Sequence, residues 1–285
     1  MRTQRLYLIS GPERLAGTLY LPGGRGPWPA AVLVHGLGSG GRAMGPVGRD
    51  LARLGVAALT FDQRGHGNST GVYVGDSSED VLAAADVLAA QPEIDARRIA
   101  VMGHSSGARE AIIACLRSPR LAALVCTSSV PDAEGGTPAQ ATAFYRRIHG
   151  KQGDAVYEYP RDGALPWLDG RALRATSRAW STLRGYRLRI RWQETLARWG
   201  RLRADVAIQE MEPRPLLIVH CRGDRAVPAL VSEVLYWKAS EPKELLLAPR
   251  GWHAAPLLPG PTRRTWTYWL ATRLKAAGAR LGVSA

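Results

Sequence analysis

Cysteine, lysine and phenylalanine are scarce in this sequence of 285 residues, which holds three, four and two of them. The cysteines, Cys115, Cys126 and Cys221, are too few and too scattered for a disulfide framework. Each lies in or beside an apolar segment, so we interpret them as buried thiols. No cysteine or histidine pair has the spacing of metal ligands. We therefore expect neither a metal site nor a cofactor.

Long apolar runs are absent as well. No stretch approaches the roughly 20 apolar residues that a membrane-spanning helix needs. The first residues, Met1 to Tyr7, begin with charge and lack the apolar segment and cleavage site of a signal peptide. These absences predict a cytoplasmic protein without an integral membrane segment.

The net charge of +14 is concentrated in one region of the chain. Residues 171–203 contain ten arginines against a single acid, Glu194, which gives a net +9 and leaves +5 for the rest. Nearly all basic residues are arginine, and no nucleic-acid-binding motif accompanies them, so we expect no nucleic-acid partner. Contact of this region with an anion or a membrane surface stays open as an alternative. The oligomeric state also stays open, and a homodimer is compatible with the sequence.

Strand-like and helix-like segments alternate along most of the chain. Short apolar runs typical of buried strands occur at 30–35, 56–62, 98–103, 122–128 and 216–220. Helical segments follow most of them, and this rhythm predicts an α/β fold with a mainly parallel sheet and helices on both faces. At the start of one such helix, Ser77 with Asp80 approximates a capping box.

The rhythm stops between residues 131 and 213. Apolar residues recur there at helical spacing, with arginine between them. We therefore predict a helical cap at 131–213, inserted into a catalytic domain that is formed by 1–130 and 214–285. We expect the tryptophans of the cap either to line a substrate pocket or only to hold the cap together: Trp167, Trp180, Trp192 and Trp199.

The sequence Gly103-His104-Ser105-Ser106-Gly107 reads G-x-S-x-G and lies between a predicted strand and a predicted helix. That context is typical of a nucleophile elbow, a sharp turn that exposes the serine hydroxyl above the sheet. Flanking glycines relieve the crowding of such a turn, and the helix N-terminus favours developing negative charge. We predict Ser105 as the nucleophile.

A serine nucleophile needs a base, and the base needs an orienting acid. In folds with this elbow the chain order is serine, acid, histidine. His253, just after the last predicted strand, is left after the other histidines are set aside on position: His35, His66, His104, His149 and His220.

The acid is expected in the loop after the penultimate strand, 216–220. Asp224 lies there, within Gly223-Asp224-Arg225-Ala226-Val227-Pro228. Asp132, after the preceding strand, is the alternative acid.

A tetrahedral intermediate needs two backbone N–H donors. One is the amide of Ser106, the residue after the nucleophile, and the other is expected from the loop that begins at His35. We assign that second donor to Leu37. His35 itself is interpreted as a structural histidine.

Five segments together resemble the α/β-hydrolase superfamily over nearly the whole chain. They are HGLG at 35–38, DQRGHGNS at 62–69, GHSSG at 103–107, GDRAVP at 223–228 and GWH at 251–253. Residues 92–107 are similar to dienelactone-hydrolase-like and prolyl-oligopeptidase-like members. The resemblance implies a sheet of the eight-stranded type and structural roles for Asp62 and Arg64.

Two positions depart from the family pattern. Gly223 stands next to the acid, where His-Gly-x-x-Asp is commoner, and Ala108 replaces a frequent third glycine. With the triad complete, we expect a carboxylesterase-like serine hydrolase whose partner is a small-molecule ester. An amidase, a peptidase or a thioesterase would use the same residues, and a non-catalytic ligand receptor on the same fold is the other alternative.

Overall fold

In the computed structural model of the chain, the structure describes residues 1–130, 155–159 and 187–281. The strands in these ranges are β1 (Arg2–Ser10), β2 (Glu13–Leu21), β3 (Trp28–Val34), β4 (Ala57–Phe61), β5 (Ile94–His104), β6 (Leu121–Thr127), β7 (Tyr157–Tyr159), β8 (Leu188–Ile190), β9 (Leu216–Cys221) and β10 (Lys243–Ala248). The helices are α1 (Gly41–Arg53), α2 (Ser78–Ala89), α3 (Ser106–Arg117), α4 (Trp192–Arg201), α5 (Ala204–Glu210), α6 (Leu230–Lys238) and α7 (Pro261–Leu281).

Eight strands form one sheet in the order β1-β2-β4-β3-β5-β6-β9-β10. The pairs β1–β2 and β2–β4 are antiparallel, and all the other neighbours are parallel. The predicted α/β fold with a mainly parallel sheet is therefore confirmed. The sequence analysis assigned no strand at β1, an edge strand that is mostly exposed and whose apolar residues are confined to its second half, Leu6 to Ile9.

Both faces of the sheet are buried under helices. On one face Val32 and Val34 of β3 share a core with α2 and α3, while on the other face Leu33 packs with α1 and α7. Burial on two faces explains why the central strands are continuous apolar runs rather than alternating patterns. In the described ranges, no helix combines the length and apolarity that crossing a bilayer requires.

The region predicted as a helical cap, 131–213, lies mostly outside the described residues. Its described parts contain the antiparallel pair β7–β8 in addition to α4 and α5. Ala204, Ala207 and Ile208 of α5 are buried in the same core as α2 and α3. That helix therefore packs on the catalytic layer, although the predicted boundary at 213 assigns it to the insertion.

The loop after β4 is fixed by two carboxylates. Asp62 accepts hydrogen bonds from the amides of Gly41 (2.7 Å) and Asn68 (2.9 Å). Asp80, which is fully buried, accepts from the Arg64 amide (2.8 Å) and from Arg64 Nε (2.9 Å) and Nη2 (2.6 Å). These contacts give Asp62 and Arg64 the structural setting that the resemblance implied.

The predicted capping box at Ser77 and Asp80 is wrong. The Ser77 side chain makes no capping hydrogen bond to α2, because it and Asp80 have other partners. The first amide of the helix, that of Ser78, donates instead to Asp76 Oδ1 at 3.1 Å. The Ser77 hydroxyl donates to Gln63 Oε1 at 2.5 Å, and Asp80 is bound to Arg64.

A buried polar cluster joins α3 to α4. Glu110 of α3 accepts hydrogen bonds from the Tyr73 hydroxyl (2.8 Å) and the Ser77 amide (2.7 Å), and Trp199 Nε1 donates to the Tyr73 hydroxyl (3.4 Å). Burial raises the pKa of Glu110 to about 7, and the charge of Arg109 opposes that increase.

Four histidines are buried among the described residues, and three of them, His35, His66 and His104, lie near the ends of β3, β4 and β5. His35 Nδ1 donates to the Gly36 carbonyl (2.8 Å), and its Nε2 accepts from the Gln63 amide (3.0 Å). His66 Nε2 accepts from the Gly38 amide at 3.2 Å. Burial lowers the pKa of His35, and it lowers the pKa values of His66 and His104 well below the usual histidine range. The folded protein therefore favours the neutral imidazoles.

Replacing Arg64 by methionine is expected to destabilise the fold by about 3–5 kcal/mol, because it leaves the buried carboxylate of Asp80 without its cation. The matched control is Arg120→Met, which breaks an exposed ion pair with Asp86 and is expected to cost no more than about 1 kcal/mol. Urea unfolding of the two variants measures the difference, and equal losses of stability would contradict the role assigned to Arg64.

Acid is expected to destabilise the protein before its carboxylates titrate. Below the ordinary histidine pKa of about 6.5, His35, His66 and His104 bind protons in the unfolded chain but stay neutral in the folded protein. The free energy of unfolding therefore falls as pH falls, by up to about 1.4 kcal/mol per pH unit for each histidine. Glu110 acts in the opposite sense, since its raised pKa stabilises the fold at low pH and this contribution disappears as pH rises through about 7. We expect a net loss of roughly 1–3 kcal/mol between pH 7.5 and pH 5.5 in urea unfolding. Unchanged or greater stability at pH 5.5 would show that the histidines are not held neutral.

Candidate active site

Ser105 occupies the turn between β5 and α3 in a left-handed conformation, with φ 58° and ψ −125°. A non-glycine residue in this region costs about 1–3 kcal/mol, and such strain persists only where the surroundings impose it. The Ser105 amide donates to the Thr127 carbonyl at 2.9 Å, which fixes the turn to β6. A Cβ at Gly103 would collide with the carbonyl of Gly107, and a Cβ at Gly107 with the carbonyl of His35. The G-x-S-x-G pattern thus has a steric cause here.

The three residues predicted as a triad meet at the carboxyl edge of the sheet. His253 Nε2 lies 2.9 Å from Ser105 Oγ, and His253 Nδ1 lies 2.7 Å from Asp224 Oδ2. Because a carboxylate only accepts, Nδ1 carries the proton and Nε2 is free to accept one from the serine. This is the geometry that general-base activation of a serine hydroxyl requires.

Asp224 is anchored on both oxygens. Oδ1 accepts from the amides of Ala226 (2.9 Å) and Val227 (3.0 Å), while Oδ2 accepts from His253 and, at 3.2 Å, from His220 Nε2. Burial by itself would raise the pKa of Asp224, but the hydrogen bonds from His220 and His253 outweigh it and hold that pKa well below its usual range. The acid is therefore ionised at any pH at which the base can work.

The unusual glycine before the acid has a packing explanation. A Cβ at Gly223 would lie 2.7 Å from the carbonyl of Gly251, in the loop that carries the base. The close approach of these two loops brings Asp224 to His253 even though the turn departs from the commoner spacing. Asp132, the alternative acid, lies outside the described residues.

Two further residues support the triad and were not predicted. His220 Nε2 contacts two acceptors, Asp224 Oδ2 and the Val227 carbonyl (3.1 Å), so it carries a proton, and Nδ1 accepts from Ser232 Oγ at 2.7 Å. The Ser128 hydroxyl donates to the His253 carbonyl at 2.9 Å. For His220 the sequence held a signal, a strand-terminal histidine four residues before the acid. For Ser128 it held none.

The predicted oxyanion donors lie beside the nucleophile. A Cβ at Gly36 would lie 2.9 Å from Ser105 Cβ, so the loop that carries Leu37 passes directly over the serine. Ser106 begins α3, where backbone amides have no partner within the helix. The Leu37 amide donates to the Ser106 hydroxyl at 2.6 Å. The Leu37 amide already has this acceptor, so it can reach another oxygen only if the Ser106 hydroxyl moves away.

A cavity of about 380 Å³ opens over the triad. It is lined by Ser105, His253, His104, Leu37, Ser106 and a mainly apolar set that includes Ala43, Pro46, Val130, Trp199, Val227, Leu257, Leu258 and Pro259. The only fully charged side chain in the described part of this lining is Arg263. Within the described residues, no group of three or more histidine, cysteine or acidic side chains is placed to hold a metal ion.

The four cap tryptophans have different positions. Trp199 is buried and lines the cavity, whereas Trp192 is buried in a small core with Tyr73, Leu188 and Ile190 and does not reach the cavity. Trp167 and Trp180 lie outside the described residues. Trp199 belongs to that same core, so it has both of the expected positions, whereas Trp192 has only the position expected of cap core.

Known proteins of similar sequence or structure share this architecture. The uncharacterized protein PA2218 of Pseudomonas aeruginosa is 27% identical over 279 residues, which cover 84% of this chain and 71% of that protein. Its crystal structure superposes with a TM-score of 0.75 at 23% identity, over 95% of this chain and 94% of that one. The esterase domain of a Rhodothermus marinus protein gives a TM-score of 0.64 at 23% identity, over 98% and 99% of the two chains. Esterase FrsA of Escherichia coli is 32% identical over 132 residues, or 45% of this chain and 31% of its own length.

A family model covers most of the chain, in agreement with the resemblance carried by its five motifs. The family is Hydrolase_4, described as serine aminopeptidase, S33, and the match extends over residues 27–257, from the start of β3 to just past the triad histidine. The chain therefore belongs to the Hydrolase_4 family of α/β hydrolases.

Proposed function

We propose that the protein is a serine hydrolase that cleaves carboxylic esters through an acyl-enzyme intermediate. The observation that carries this proposal is the pair of hydrogen bonds from Ser105 to His253 (2.9 Å) and from His253 to ionised Asp224 (2.7 Å). Both distances lie in the range of a working nucleophile, base and orienting acid.

In the acylation step, Ser105 Oγ attacks the ester carbonyl carbon while His253 Nε2 takes the hydroxyl proton. The carbonyl oxygen becomes an oxyanion, which the amides of Leu37 and Ser106 stabilise. The tetrahedral intermediate collapses when the bond to the alcohol breaks, and His253 returns its proton to the departing alkoxide. Asp224 remains an anion throughout and stabilises the transient imidazolium.

In the deacylation step, water attacks the acyl carbon and gives its proton to His253. The oxyanion again forms at the Leu37 and Ser106 amides. Collapse releases the carboxylic acid, and the proton on His253 returns to Ser105 Oγ. No group outside the triad and the two amides is needed for the proton balance.

Peptide hydrolysis is the second candidate, because the family description names an aminopeptidase. An aminopeptidase has to bind the α-ammonium group of its substrate, and a buried cation requires a partner charge. The lining of the cavity contains no aspartate or glutamate within the described part of the chain. This apolar lining favours a neutral ester over a peptide with a free N-terminus.

Replacing Ser105 by alanine is expected to lower turnover of p-nitrophenyl butanoate by at least about 10⁴-fold, because the nucleophile is removed. The matched control is Ser39→Ala, which removes another serine hydroxyl from the lining of the same cavity and is expected to retain turnover within about threefold. A fluorophosphonate probe is expected to label the wild type and the control at Ser105 but not the variant. Undiminished turnover in folded Ser105→Ala would contradict the assignment of Ser105 as the nucleophile.

Replacing Asp224 by asparagine is expected to lower kcat by about 10³–10⁴-fold, because an amide cannot stabilise the imidazolium or fix the tautomer of His253. Steady-state kinetics with the butanoate ester measures the loss. A kcat within tenfold of the wild type would indicate that another carboxylate, such as Asp132, serves as the acid.

The bond that is cleaved is tested with a matched panel of butanoyl ester, thioester and anilide, together with aminoacyl p-nitroanilides. We expect kcat/KM to be highest for the ester or the thioester and lowest for the aminoacyl anilides, since the described lining has no carboxylate for the ammonium group. Preference for the aminoacyl anilides would establish the peptidase instead.

A further inference from the structure

The cavity over Ser105 ends at a buried charge. Arg263 lies in the first turn of α7, and its side chain is 8% exposed although most of the surrounding lining is apolar. Charged side chains are rarely buried to this extent without a defined partner or purpose.

A second pocket, of about 690 Å³ and more open to solvent, adjoins this side chain. It is formed by α1 and the start of α7, with Asp50, Arg53, Leu54, Arg264 and Thr265 among its lining residues. Arg263 and Pro259 line both cavities. The catalytic cavity and the second pocket therefore meet at these two residues, which we call the wall.

Two segments hold the guanidinium group of Arg263 in this wall. Nη1 donates to the Leu257 carbonyl at 2.9 Å, in the short turn after His253, and Nη2 pairs with Asp50 of α1 at 2.7 Å. Because Asp50 compensates the charge and both terminal nitrogens have partners, the group is better suited to closing the cavity than to binding an anion.

The third guanidinium nitrogen of Arg263, Nε, indicates that this side chain has a role in the cavity rather than in stabilising the fold. Nε of Arg263 is buried and has no hydrogen-bond partner among the described residues. Leaving a buried donor unpaired destabilises a fold, and an apolar side chain of the same size would avoid that loss.

We propose that Arg263 is a specificity-determining residue that limits the length of the substrate group the cavity accepts. The inference rests on the proposed function, because it concerns which esters reach Ser105. With the side chain in place, the catalytic cavity of about 380 Å³ takes a short apolar group; without it, the neighbouring space of about 690 Å³ becomes available to a longer one.

The experiment compares short and long chains at the same nucleophile. The first readout is the ratio of kcat/KM for p-nitrophenyl butanoate to that for p-nitrophenyl dodecanoate, together with the same comparison for butyl and dodecyl acetate, so that both sides of the ester are varied. The second readout is the rate at which short-chain and long-chain alkyl fluorophosphonates label Ser105, which needs no ester turnover. The proteins are the wild type, Arg263→Ala, Arg263→Met, Arg264→Ala and Pro259→Ala.

In the wild type we expect the short chain to be preferred by at least about tenfold in one of the two ester series, and Arg263→Ala to reduce that preference about tenfold or more. Arg263→Met retains most of the volume and is expected to keep the preference within about threefold. Arg264→Ala, an exposed neighbour that lines only the second pocket, is expected to leave it unchanged. Pro259 is exposed, and Pro259→Ala removes side-chain volume from the same wall. This variant is expected to lower the preference for the short chain even if Arg263→Ala does not fold.

Equal use of short and long chains by the wild type would overturn the proposal, as would an unchanged preference in folded Arg263→Ala. The same change in Arg263→Met as in Arg263→Ala would also overturn it, because charge rather than volume would then set the limit. If esters are not turned over but the labelling rates depend on Arg263, the role of Arg263 is supported and the proposed ester hydrolysis is contradicted. If esters are turned over with a chain-length preference that does not depend on Arg263, ester hydrolysis is supported and the role of Arg263 is contradicted.

Discussion

The left-handed backbone at Ser105 is the constraint on which the rest of the site depends. It is possible because glycine at 103 and 107 lets β5, α3 and the end of β3 approach within contact of one another, and because the Ser105 amide is bound to Thr127 of β6. The parallel pairing of β3, β5 and β6 supplies the rigid frame that holds this strained turn. Substitution at either glycine would therefore disturb the sheet and the nucleophile together.

Strand order explains how residues distant in sequence meet. The chain returns to the sheet so that β5, β6, β9 and β10 lie side by side, and the segments after these four strands carry Ser105, Ser128, Asp224 and His253. Parallel strands place their carboxyl ends at one edge, so each crossover adds one functional group to the same place. The contact between Gly223 and Gly251 completes the approach of the last two loops.

What the sequence could predict follows from this logic. Ser105 was predicted from a motif between a strand and a helix, and Asp224 and Leu37 from the loops that follow two strands. His253 was predicted from chain order, after the other histidines were set aside. Contacts between distant segments left no local pattern: the Ser128 hydroxyl on the His253 carbonyl, and Ser77 turned away from its helix towards Gln63. Edge strand β1 was missed for a different reason, since its charged first half and exposed Tyr7 and Ile9 do not follow the pattern by which the buried central strands are recognised.

Two charged side chains of the site, Asp224 and Arg263, have different partners. Burial favours neutral His104 beside the base, and Asp224 is kept ionised by its hydrogen bonds, so a negative charge lies where the imidazolium develops. In the described part of the cavity the other charge is Arg263, which Asp50 compensates. Neither charge is therefore free to pair with an ionic group in the described part of the site. Part of the described lining comes from segments outside the strand ends, namely Trp199 of α4 and the residues Leu257, Leu258 and Pro259 after His253, and such segments can vary without altering the strand ends.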